Sequence, residues 1–107
     1  MPTQGEIDDV ITKAGTVRTT KVTYDAAVVD QNDAIANVNA ARTAWSTAVA
    51  AGSDDALLVG LLNNLLDAEV ARAAKAAALE AAQTPYGEAQ SELQTAVDAL
   101  VAAAITP

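Results

Sequence analysis

The groups best equipped for chemistry in this chain are its carboxylates, and several of them come in pairs. Asp8-Asp9 and Asp54-Asp55 are adjacent, and Glu88 stands four residues before Glu92. Two carboxylates can share acid and base roles when their surroundings drive their pKa values apart. These pairs have simpler explanations. The two Asp doublets fall where helices should start, and negative charge there complements the helix dipole. Glu88 and Glu92 lie one helical turn apart on a face expected to be solvated. The stretch Asp30-Gln31-Asn32-Asp33-Ala34-Ile35 opens like a calcium loop, but it lacks the fifth-position ligand and the sixth-position glycine. The sequence has no His and no Cys, which excludes the common zinc, haem and nucleophile–base sets. Its five glycines are scattered and form no phosphate-cradling loop. No catalytic residue, metal ligand or cofactor is therefore expected, and the protein reads as a non-enzyme.

A second group of charges is more informative. Lys13, Arg18 and Lys21 are half of the six basic residues and give residues 10–24 a charge of +3, while the whole chain carries −8. The same segment is rich in β-branched residues, six of the nine between Thr16 and Tyr24. It reads either as an extended arm or as the start of a long helix. The three cations lie on an exposed surface or face an acidic partner, for which another copy of this chain would qualify. A charge of −8 argues against nucleic acid or an anionic membrane as the ligand.

The elements that hold these residues are legible from caps and periodicity. Thr3-Gln4-Gly5-Glu6 fits a capping box. Gly52-Ser53-Asp54-Asp55 combines a helix-terminating glycine with an N-cap for the next helix. Thr84-Pro85 reads as another cap followed by a proline in the first helical turn. The expected fold is all-α: an antiparallel arrangement of three helices over about 4–51, 54–83 and 85–104. Alternating steps of three and four from Ile7 reach Val10, Ala14, Val17, Lys21, Tyr24, Val28, Gln31, Ile35, Val38, Arg42, Trp45 and Val49, a stripe of coiled-coil type. From residue 27 onward Ala27, Ala34, Ala41 and Ala48 widen it, whereas Glu6, Lys13 and Thr20 hold the equivalent earlier positions. Lys21 and Arg42 in the stripe either snorkel or set register. In the second helix the favoured face is Val59, Leu62, Leu66, Val70, Ala73, Ala77 and Ala81. The third places Tyr86, Ala89, Leu93, Ala96, Val97, Leu100 and Ala104 together.

These lengths divide the chain into a body, residues 24–107, and a projecting N-terminal segment, residues 1–23, with no helix of its own chain beside it. The expected core is Tyr24, Val28, Ile35, Val38, Trp45, Val49, Leu62, Leu66, Leu93, Val97 and Leu100. The expected interface with partner proteins is Ile7, Val10, Lys13, Ala14, Val17, Arg18 and Lys21. Alanine, 27 of the 107 residues, favours helix but contributes little apolar area to a core. Such a chain should lean on association, as a homo-oligomer or within a multi-component assembly. Its β-branched seam inclines towards trimers or tetramers. The leading expectation is a structural or assembly protein that oligomerises or docks through its N-terminal helix, of a kind that suits a phage virion. The alternative is a small acidic helical adaptor or inhibitor with one protein partner. Neither a secretory signal nor a membrane-spanning segment is expected, and the protein reads as soluble.

Overall fold

The computed structural model describes residues 1–106 and is all-helical, with no strand among them. Two helices account for nearly everything: α1, Gln4–Ala50, and α2, Asp55–Ile105. The chain divides into two compact units. Unit 1 joins Met1–Ala26 to the chain from Glu80 onward, and unit 2 is Ala27–Leu79.

Local chemistry fixes the helix ends. The Glu6 N–H donates to Thr3 Oγ1 and the Thr3 N–H to Glu6 Oε1, both at 3.1 Å, which completes the capping box. At the other end of α1, Gly52 adopts φ 68°, a left-handed conformation open to glycine at no steric cost. The Gly52 N–H then donates to the Val49 carbonyl and the Ser53 N–H to the Ala48 carbonyl, so two orphan carbonyls are satisfied in a Schellman closure. Asp54 caps α2, its Oδ1 accepting the Leu57 N–H at 2.9 Å.

The threonine-rich segment is helix throughout, so the extended arm is not what forms. Thr16, Thr19 and Thr20 donate their hydroxyls to the carbonyls of Thr12, Gly15 and Thr16, one turn back. Those bonds absorb the polar side chains that otherwise compete with a helix.

The expected break at Pro85 is corrected. Residues 54–83 and 85–104 are not two helices; α2 runs through Pro85 without interruption. Proline removes one backbone donor and crowds the preceding turn. Pro85 is exposed, however, and the buried rhythm on both sides of it keeps one phase: Ala82, Tyr86, Ala89, Leu93 and Ala96 are all buried or half-buried. A cap-and-restart would throw away that phase, so burial along the helix overrides the local signal.

With no third helix, residues 6–23 are not left alone. They belong to the same compact unit as the C-terminal half of α2. The ion pair between Lys13 and Glu92 and the stacking of Tyr24 on Tyr86 show the two segments running antiparallel. The same order holds in unit 2, where Asp30 meets Lys75 and Arg42 meets Glu69 around the tight turn at Gly52.

Candidate interaction surface

Each unit is a pair of helices, and a pair can cover only one stripe of each helix. On α1 the covered rows are Val10, Val17, Tyr24, Gln31, Val38, Trp45 and, three residues on, Lys13, Thr20, Ala27, Ala34, Ala41, Ala48, all buried or half-buried. The first row belongs to the expected stripe. The second is the row of alanines that widens it, with its polar continuation. On α2 the covered row is Leu58, Leu65, Arg72, Leu79, Tyr86, Leu93, Leu100, accompanied by Leu61, Ala68, Ala82, Ala89, Ala96 and Ala103.

The consequence in unit 2 is an uncovered apolar flank. Val59, Leu62, Leu66 and Val70 are 58%, 39%, 55% and 71% exposed, so the face favoured for the second helix points away from α1. On α1, Ile35 and Val49 are also exposed, at 39% and 49%. Arg42, midway between them at seven-residue spacing, reaches across to Glu69, seven residues past Leu62, with Nη2 to Oε1 at 2.7 Å. That bridge shows both rows on the same side of the pair. Glu69 also accepts from Arg72 Nε at 3.1 Å. The bond from Arg72, then that from Arg42, holds the Glu69 carboxyl below its ordinary pKa.

Unit 1 carries a charge inside its seam. Lys13 occupies a covered row where unit 2 has alanine, and its Nζ lies 3.9 Å from both Asp9 Oδ1 and Glu92 Oε2. These residues, with Ser91, Thr95, Ala96 and Ala99, line an open recess of about 410 Å³. The Lys13 cation that lines it is already shared by two carboxylates of the same chain. Lys21 Nζ meets Asp25 Oδ2 at 2.6 Å, a hydrogen bond that raises the lysine pKa. Among the described residues Arg18 makes no ion pair. Tyr24 and Tyr86 stack with ring centroids 5.2 Å apart and planes at 26°. No group of three or more acidic side chains gathers into a metal-holding set among the described residues.

Val38 is buried at 3% exposure, while Tyr24, Val28, Trp45, Leu93, Val97 and Leu100 are half-buried. Ile35, Val49, Leu62 and Leu66, expected in the core, are instead exposed, because a third helix to cover them does not exist. Of the expected interface, Val10, Lys13, Ala14 and Val17 are half-buried, with α2 of their own chain in the same unit. Ile7, Arg18 and Lys21 are exposed. Leu58, Leu61, Leu65 and Leu79 were missed as seam residues. Their signal was present, since Leu58, Leu65, Leu79, Tyr86, Leu93 and Leu100 share one seven-residue phase, but it shows only when Pro85 is read through.

No helix is long and apolar enough to cross a membrane among the described residues. No protein-family model matches the chain, and neither do curated proteins or solved structures.

Proposed function

We propose that this protein is a non-enzymatic assembly component, a helical part that packs against other protein chains through apolar helix faces. One observation carries this reading: the ratio of what the chain buries to what it leaves uncovered. The buried residues are five alanines and one valine, and no large side chain is fully buried among the described residues. Among the described residues fourteen large hydrophobics stay exposed. The accessible surface is 6972 Å², against about 5,500 Å² for a folded monomer of this mass. Exposed large hydrophobics in contiguous patches mark interaction sites. The absence of His and Cys and the scattered glycines support a role without catalysis. Parts of this type suit particles built from many copies, virions included.

The docking surface of this proposal differs from the N-terminal segment first indicated by the sequence. Four of that segment's seven expected interface residues are half-buried within their own unit, whereas the flank of unit 2 is open. Native mass and thermal melting of the full chain, followed over a roughly hundredfold range of concentration, test the reading. Association should raise both the mass and the melting temperature as concentration rises. A monomer with a sharp, concentration-independent transition would overturn it, because the chain would then hold itself together alone.

A further inference from the structure

We infer that the occupant of the unit 2 flank is a second copy of this chain, docked about a two-fold axis so that two helix pairs become a four-helix bundle. This rests on the assembly reading above and names the partner.

Area is the first argument. Val59, Leu62, Leu66, Val70, Ile35 and Val49 together leave roughly 500 Å² uncovered per copy, so two facing copies that cover them fully remove up to about 1,000 Å² from water. That reaches the scale of a specific interface before neighbouring backbone and alanine are counted. Ala73 and Ala77 continue the exposed face along α2.

Charge is the second. Two copies at −8 each repel, so a self-contact must sit where that charge is missing. From Ala56 through Leu66 the chain has no charged residue. Asp55 and Asp67 edge the flank on α2, and Arg42 and Arg72 are tied together through Glu69. A two-fold contact sets the same patch against itself, so the patch must complement its own copy. An uncharged apolar strip does so without any matching of signs. The exposed hydrophobics on α1 in unit 1 lack such a strip: Ile11 and Val22 are interleaved with Arg18 and Asp25.

The experiment compares the full chain with Leu66→Lys and, as a second variant, Val70→Lys, using sedimentation equilibrium for mass and circular dichroism for helix content. Val22→Lys, an exposed hydrophobic in unit 1, is the control. The unaltered chain and the control should have twice the monomer mass. Both flank variants should fall to the monomer at least tenfold more readily on dilution with their helix content kept, since the side chains they replace are exposed. A dimer indifferent to both flank variants overturns the inference and leaves the assembly reading standing. So does an oligomer lost in Val22→Lys alone. A full chain that is monomeric, with a melting temperature independent of concentration, overturns both together.

Discussion

Units 1 and 2 draw on the same heptad frame and use it differently. In unit 2 the second covered row of α1 is Ala27, Ala34, Ala41 and Ala48; in unit 1 the same row holds Glu6, Lys13 and Thr20. Unit 2 takes its buried residues from α1 (Ala34, Val38 and Ala48), and unit 1 takes them from α2 (Ala82, Ala89 and Ala96). Unit 1 compensates for its polar row with the Lys13 ion pairs and the Tyr24–Tyr86 stack. Exposed ion pairs of this kind contribute little each, and a stacked aromatic pair adds about 0.5–1.5 kcal/mol. Unit 2 also has cross-helix ion pairs, Arg42–Glu69 and Asp30–Lys75, but its second covered row is all alanine and it has apolar surface left over. The contrast shows that a helix pair closes one seam and leaves the apolar residues beside it uncovered.

The sharpest way to break the comparison is to place the same charge in the same row of each unit. Val38→Asp should cost about 3–5 kcal/mol in urea unfolding, the scale of an uncompensated buried charge. Val17→Asp, at a half-buried position of unit 1, should cost about 1–2 kcal/mol, since its carboxylate can reach water. Equal losses would show that the two seams are equally dry.

Gln31 gives a test of opposite sign. Its Oε1 is buried with no hydrogen-bond partner among the described residues, in a row otherwise filled by Val10, Val17, Tyr24, Val38 and Trp45. Gln31→Leu should raise stability by about 1–2 kcal/mol, because an unpaired amide oxygen is replaced by apolar contact. A loss of stability would mean that the amide does find a partner in solution.

The smallest effect concerns pH. Glu69 has a folded pKa below its unfolded value, so its contribution is present above the unfolded pKa and is lost as pH falls through the folded one. Glu69→Gln should therefore lower the melting temperature slightly at neutral pH, leave it unchanged at low pH and so flatten its fall on acidification. An unaltered acid limb would show that the Arg42 and Arg72 contacts do not persist in water.

Much of the fold was legible where the physics is local. Thr3, Glu6, Gly52 and Asp54 make the caps their types and spacing indicate, because capping involves residues within one turn. The row Val10 to Trp45 was legible too, since its period does not depend on what it packs against. Pro85 was misread because proline's local preference was weighed without the burial that lies on either side of it. That single misreading turned the remaining half of α2 into a third helix and left residues 6–23 without their neighbour. It also placed Leu62 and Leu66 in a core instead of on a flank. Composition alone could not separate the two faces of residues 57–70, which are apolar nearly all round.

The turn at Gly52 has a consequence for the order of folding. Contacts in unit 2 can grow outward from that turn through short loops, which are the cheapest to close. The two segments of unit 1 are separated by roughly fifty residues, and closing such a loop from an open chain costs about 3.5 kcal/mol of entropy. Once residues 27–79 are paired, most of that cost has already been met. The chain should therefore zip from Gly52 towards its termini, with the Tyr24–Tyr86 stack and the Lys13 ion pairs forming last and opening first.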